Sequence, residues 1–198
     1  MFIDIEGGNA SGKTTITKKL VETLQRYNKK VVCMESPTSP FDKSWLDIAD
    51  CDLLTKYYFF RAVSQNESEK IKKLIKIYDY VILDRYLYET EAFDLTLEKL
   101  QERQNLINKH INYDDLLTPN IVFFLDVDDK ERAKRIENRG NDKNKCYWER
   151  QEFQLYYNDF YRKIAKRENF FTVDTLKNNI EECVNIMLNK IGIRNTNI

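Results

Sequence analysis

The stretch DIEGGNASGKTTI, residues 4–16, stands almost at the start of the chain and decides how the rest is read. Within it, Gly7-Gly8-Asn9-Ala10-Ser11-Gly12-Lys13-Thr14 satisfies Gly-x-x-x-x-Gly-Lys-Ser/Thr at every fixed position. Each residue type has a physical reason. Glycines let the backbone curl so that successive N–H groups face phosphate oxygens, and the helix that follows adds its positive end. Lys13 is suited to bridge β- and γ-phosphates, and the Thr14 hydroxyl to hold Mg²⁺. The plain alternative is a Gly-rich turn that happens to precede Lys-Thr. Context argues against it: the apolar-rich run Phe2–Glu6 enters the loop, and Ile16, Leu20 and Leu24 recur at helical spacing after it. The stretch therefore predicts a nucleoside-triphosphate site built from Gly7 to Thr14, with Thr15 beside it.

Working outward, four further β-like runs follow: Val31–Met34, Tyr80–Leu83, Ile121–Val127 and Phe170–Val173. The run Ile121-Val122-Phe123-Phe124-Leu125 is continuously apolar, as in a strand covered on both faces. Phe153, Tyr157, Phe160 and Ile164 recur at helical spacing, as do Ile180, Val184, Leu188 and Ile191. Strands alternating with helices predict an α/β fold: a three-layer α/β/α sandwich around a five-stranded parallel sheet, of the P-loop NTPase kind. With 198 residues and no repeat or linker, the expectation is a single domain over 1–194, with a frayed tail at 195–198. The polar stretch Glu98–Asn112, holding the lone histidine His110, reads as a solvated helix face.

Bulk properties narrow the partners. Lys+Arg and Asp+Glu stand at 32 each, so no overall field favours nucleic acid or an anionic membrane, and an anionic substrate must be attracted locally. No apolar run approaches the ~20 residues needed to span a bilayer, and Phe2-Ile3-Asp4 makes no signal peptide. The four cysteines are widely spaced, which suits reduced thiols rather than zinc. A cytoplasmic protein is expected.

A phosphate loop alone covers GTPases, motors and kinases. There is no Asn-Lys-x-Asp guanine reader, and no strand ends in Asp-Glu. The third strand runs instead into Asp84-Arg85-Tyr86. Asp84, at a strand's carboxyl end, is suited to help position Mg²⁺. Arg85 suits a second phosphate group rather than a water nucleophile, which favours transfer between two phosphate compounds over hydrolysis.

These residues, taken in order, resemble the thymidylate kinases, which phosphorylate dTMP with ATP. The resemblance rests on Ile5-Glu6-Gly7, Gly12-Lys13-Thr14-Thr15, Arg61 after an aromatic segment, Asp84-Arg85-Tyr86, Phe124-Leu125-Asp126-Val127, and Arg135…Arg139-Gly140. It implies ATP and Mg²⁺ as cofactors, a nucleoside monophosphate as acceptor and a homodimer packed through helices. By the same resemblance Arg85 grips the acceptor phosphate, Tyr57 stacks on its base and Arg61 hydrogen-bonds that base. Thr90, Phe93 and Asp94 fall at further acceptor-side positions. Arg135 and Arg139 fall where the family packs an arginine on adenine, and a lid follows at about 140–150.

The chain also departs from the family's pattern. Where many members carry a charged pair inside the loop, this one has Asn9-Ala10, so the cation at the transferred phosphoryl group must come from Lys143, Lys145 or Arg150 in the lid. Glu35-Ser36-Pro37 lacks the family's arginine, leaving Lys43 as the nearest cation. Asp94 replaces an amide that reads the base and demands a donor on its partner. The main expectation is phosphoryl transfer to a nucleoside monophosphate, dTMP to dTDP first. Two alternatives are a deoxynucleoside kinase using Glu6 or Glu35 as general base, and a degenerate fold that only binds nucleotides.

Overall fold

In the computed structural model, residues 1–42, 51–100, 114–138 and 151–193 are described. The five runs form β1 (Phe2–Glu6), β2 (Val31–Glu35), β3 (Tyr80–Asp84), β4 (Ile121–Asp126) and β5 (Phe171–Asp174). Between and after them lie α1 (Lys13–Arg26), α2 (Leu53–Leu74), α3 (Leu87–Leu100), α4 (Asp129–Asn138), α5 (Gln151–Arg167) and α6 (Ile180–Lys190). All strand pairs are parallel, in the order β2-β3-β1-β4-β5. This is the expected five-stranded α/β sheet.

The period of two along each strand sorts side chains into two cores, one on each face. Ile3, Ile5, Ile82, Phe123, Leu125 and Val173 pack with Ile16, Leu20 and Leu24 of α1 and with Cys183, Val184, Met187 and Leu188 of α6. On the opposite face Phe2, Val81, Leu83, Val122 and Phe124 pack against α2, α3 and α5. Helix phase corrects two expectations. Tyr161 is fully buried where Phe160 was expected and is only half-buried, and Ile180 is exposed at the start of α6. Glu98, read as part of a solvated face, is buried. His110 and the rest of that stretch beyond residue 100 lie outside the described residues, as does Lys43.

The same alternation gives β1 an unexpected character. Asp4 and Glu6 follow Phe2 onto the face that meets α2, α3 and α5, and both are 0% exposed. The strand that enters the phosphate loop is thus apolar on one face and acidic on the other.

Strand order also places the site. The chain reverses direction across the sheet at β1, which has β3 on one side and β4 on the other. Ligands of open parallel sheets bind at the carboxyl ends of strands flanking such a switch point. Ile5 pairs with Asp84 on β3 and with Phe123 on β4, so the loop that leaves β1 begins beside Asp84-Arg85.

Candidate active site

Gly12 caps α1 in the left-handed region (φ 94°) with no side-chain cap, and the first turn carries no acid. The leading N–H groups of the helix are thus left to an external acceptor. Lys13 is buried at the loop's centre, and its Nζ donates to the carbonyl oxygens of Gly7 and Gly8. Burial, with Arg85 nearby, lowers its pKa to about 8, against the opposing pull of Asp84 and Glu89. Thr14 and Thr15 are exposed at the start of α1.

Arg85 occupies the left-handed region (φ 74°), an uncommon conformation for a residue with a long side chain. Its N–H donates to the Ile5 carbonyl at 3.1 Å, anchoring the turn against β1. Nη2 then reaches Asn9 Oδ1 in the middle of the loop at 3.2 Å, while Nη1 is ion-paired with Glu89 one helical turn on. Burial works against the charge on Arg85, but Glu89 raises its pKa and keeps it ionised. Asp84 lies beside it with Oδ1 buried and unpartnered. Its pKa is raised by burial, opposed by Lys13 and Arg85. An orphaned carboxylate oxygen at the end of β3, an exposed Thr14 and uncapped N–H groups at the start of α1 fit a polyphosphate carrying a divalent cation.

Helix α5 braces this arrangement from behind. The Tyr157 hydroxyl donates to Glu89 at 3.1 Å, and the Tyr161 hydroxyl donates to Glu6, which also accepts from the N–H of Tyr86 at 3.1 Å. Burial raises the Glu6 carboxyl to about 7, against the lowering effect of the Tyr161 hydroxyl. Glu6, one of the two carboxylates named as a general base for a substrate hydroxyl in the alternative reading, is thus buried with both oxygens engaged. Glu35, the other carboxylate considered for that role, is exposed at the end of β2, in register with Asp84.

The acceptor-side candidates gather between α2 and α3. Tyr57 is buried in the core, whereas its neighbour Tyr58 is 56% exposed. Arg61 is half-buried with Nη1 lacking a hydrogen-bond partner. Asp94 is 1% exposed with both oxygens unpartnered, and burial together with Glu91 and Glu98 raises its pKa well above the carboxylate range. The half-buried Phe93 ring lies 6.0 Å from Phe60 and 5.3 Å from Phe153, and Thr90 is half-buried one turn before Asp94. Arg135 sits at the loop, with Nη1 3.4 Å from the Ala10 carbonyl oxygen and Nη2 donating to the Thr175 carbonyl at 3.0 Å. Arg139, Lys143, Lys145, Arg150 and the expected lid lie outside the described residues.

Sequence reasoning missed the loop's other partners. Arg132, which nothing in the sequence singles out, is 3% exposed. Together with Arg162 it forms a network with Asp126 and Asp129. Hydropathy cannot tell a buried, paired arginine from a solvated one. The signal that was available is local: Glu89 lies four residues after Arg85, the spacing of a helical ion pair.

Comparison with known proteins agrees with this fold. A family model for thymidylate kinase matches residues 5–186. The probable thymidylate kinase of Methanocaldococcus jannaschii is 31% identical over 189 residues, covering 93% of this chain and 92% of that one. The thymidylate kinase of Buchnera aphidicola is 33% identical over 156 residues, 70% of this chain and 69% of the other. Among solved structures, Candida albicans thymidylate kinase superposes with TM-score 0.72 at 22% identity over 96% of this chain and 90% of its own. Deoxyadenosine kinase from M. mycoides with bound dATP superposes with TM-score 0.67 at 23% identity over 96% and 99%. These two structural likenesses speak to the fold. With the match over residues 5–186 and the sequence identity to the archaeal relative, the chain belongs to the thymidylate kinase family.

Proposed function

We propose that this chain transfers a phosphoryl group from ATP, with Mg²⁺, to a nucleoside monophosphate, converting dTMP to dTDP. The observation that carries the reading is Arg85. It is held in a left-handed turn at the end of β3, bridged to the phosphate loop through Asn9 and kept charged by Glu89. A guanidinium beside the loop fits a second phosphate group, which a hydrolase does not need. The names of the relatives support dTMP as that group's bearer.

The residues divide the work by position. Lys13 exchanges its bonds to the Gly7 and Gly8 carbonyls for donor phosphate oxygens, and the N–H groups of the loop and of α1 orient that phosphate chain. Arg85 holds the acceptor phosphate in line with it. Thr14 and Asp84 are the residues that would hold Mg²⁺, which when bound neutralises charge on the donor phosphates. Tyr57, Arg61, Thr90, Phe93 and Asp94 are assigned to the acceptor nucleoside, Arg135 and Arg139 to the adenine side, and one of Lys143, Lys145 and Arg150 to the transferred phosphoryl group. Catalysis is positioning and charge neutralisation, with no covalent intermediate. The reading carries with it a cytoplasmic location, a small nucleotide rather than nucleic acid or a membrane as partner, and a homodimer.

One observation favours a second reading. Glu35 is exposed at the end of β2 beside Asp84, where a general base for a sugar 5′-hydroxyl could act, as a deoxynucleoside kinase requires. ADP release from ATP·Mg²⁺ with dTMP, thymidine and a panel of other nucleotides and nucleosides separates the readings. Turnover of dTMP and not thymidine is expected. Turnover of thymidine alone overturns the proposal, and ATP binding without any transfer leaves only a nucleotide-binding module.

A further inference from the structure

Ala10 is the second residue after glycine-rich Gly7-Gly8 and stands in the left-handed region at φ 59°, a conformation that costs a residue with a β-carbon about 1–2 kcal/mol. Something must hold it there. The peptide planes on either side of Ala10 are each gripped by an arginine of α4. Arg132 Nη1 donates to the Asn9 carbonyl at 3.3 Å, and Arg135 Nη1 lies 3.4 Å from the Ala10 carbonyl oxygen. The two arginines are three residues apart and so share one helix face.

Arg132 is the more committed of the two. Its Nη1 also donates to Asn158 Oδ1 at 2.9 Å, and its Nη2 donates to the Val127 carbonyl at 2.9 Å. Asp126 lies 3.5 Å from Nη2 and Asp129 3.6 Å from Nε. Arg162 also pairs with both acids, at 3.1 and 3.0 Å, so one guanidinium remains against them when Arg132 is replaced. Beyond these contacts, its bond to the Asn9 carbonyl ties α4 to the loop.

Gly8 makes the approach feasible. A β-carbon there would fall inside van der Waals contact of Arg132 Nη1 and Asn158 Oδ1 and lie 3.1 Å from Arg132 Cζ. Gly8 is not in the left-handed region, so its requirement is space and not backbone freedom.

We propose that Arg132 is a positioning residue for the donor nucleotide, acting through the phosphate loop, and that Gly8 is the clearance that admits it. The peptide bond is planar and trans, so the Asn9 carbonyl and the Ala10 N–H point in opposite directions. By fixing that carbonyl outward, Arg132 aims the Ala10 N–H into the loop's concave side. The inference rests on the proposed kinase reading, because it takes the loop's ligand to be the phosphates of ATP.

The test is equilibrium binding of ATP, together with KM for ATP and for dTMP, in Arg132→Ala, Arg132→Lys, Gly8→Ala and the Gly8→Ala/Arg132→Ala double variant. Arg132→Ala is expected to weaken ATP binding on the order of tenfold, as loss of a charged hydrogen bond does, while KM for dTMP stays within about twofold. Arg132→Lys is expected to recover part of that loss. Gly8→Ala is expected to weaken ATP binding by at least as much in the wild-type background but to add less once Arg132 is gone, because the sharpest clash, with Arg132 Nη1, is then absent and Asn158, released from its bond to Arg132, is free to turn its amide aside. Unfolding midpoints keep the result interpretable: a purely structural role would lower stability and affect both substrates alike. Should Arg132→Ala not fold, Arg132→Lys and Gly8→Ala carry the test. Wild-type ATP affinity in Arg132→Ala, equal losses for ATP and dTMP, or additive losses in the double variant would overturn the positioning role and leave the kinase reading standing. A wild-type chain that does not bind ATP would overturn both.

Discussion

Replacing Asp4 should stabilise the protein, and more so at high pH. Asp4 lies in the middle of β1, paired in register with Leu83 and Val122, and is 0% exposed, with the Glu6 carboxyl as its hydrogen-bond partner when one of the two is protonated and no N–H group on either oxygen. Its nearest titratable neighbour is Glu6, two residues along the same strand face. Burial is the main cause of a pKa raised well above the carboxylate range, and Glu6 adds to it. The sign follows from linkage. A carboxyl whose folded pKa exceeds its unfolded one contributes stability that is complete below the unfolded value and lost as pH rises through the folded value. Glu6 acts in the same direction, since it rises from 4.5 to about 7. A shift of that size costs on the order of 3 kcal/mol once both states are ionised. Wild-type stability should therefore fall between pH 5 and pH 8. Asp4→Val keeps a β-branched apolar residue in a buried strand and removes one unsatisfied acid, worth about 1–3 kcal/mol. For a chain of this size that corresponds to a rise of several degrees in midpoint at pH 8. Urea or thermal unfolding of wild type, Asp4→Val and Asp4→Asn at pH 5, 6, 7 and 8 measures it. The gain should shrink towards pH 5, as pH approaches the unfolded carboxyl's own value and the difference in proton uptake between the two states closes. A gain independent of pH, or a less stable Asp4→Val at pH 8, would refute the reasoning.

Three further outcomes follow from the site. Lys13→Ala should lower kcat by a factor of about 10²–10³ or more without unfolding the chain, read by ADP release beside a denaturation curve. Arg85→Lys keeps the charge but not the planar fork that spans Asn9 and Glu89. It should cost about a hundredfold in kcat/KM for dTMP while leaving ATP affinity near wild type. Burial with Glu91 and Glu98 raises the Asp94 pKa, and an amide of the same shape keeps a donor and an acceptor at that place, so Asp94→Asn should keep KM for dTMP near wild type, whereas Asp94→Leu should raise it at least tenfold.

The fold was legible because its signals are local. Five apolar runs, a phosphate loop between the first strand and helix, and Asp84-Arg85 at the end of the third strand are each read within a few residues. The boundaries shifted by one residue at most strands, and Asp84 still fell at a strand end. Reading β1 as an apolar strand missed its second face, since Asp4 and Glu6 look like the polar half of an amphipathic strand until α2, α3 and α5 cover them. Nor can sequence choose between Tyr57 and Tyr58. A rotation of about 100° per residue buries one and exposes the other, and only the packing of α2 sets the phase. Arg132 was illegible for a different reason: its partner Asn158 stands on another helix, 26 residues away, and the glycine that admits it is 124 positions before it.

The uncharged middle of the loop, Asn9-Ala10, acquires a reason from these contacts. Three of the cations that surround it bring an acid of their own: Arg85 has Glu89, Arg132 has Asp126 and Asp129, and Arg135 has Glu131 at 3.0 Å. A paired charge has a short-ranged field, so these arginines act on the loop mainly by directed hydrogen bonds. Lys13 differs, for its Nζ rests on the carbonyls of Gly7 and Gly8. An acid at position 9 would draw Arg85 away from Glu89 and towards the loop, and would repel the phosphates that the loop is shaped to hold. Asparagine offers Arg85 the same acceptor oxygen without the charge, and its main-chain carbonyl serves Arg132 at the same time. On the proposed reading, a neutral loop leaves Lys13 to turn towards the donor phosphates and Arg85 to meet the acceptor phosphate.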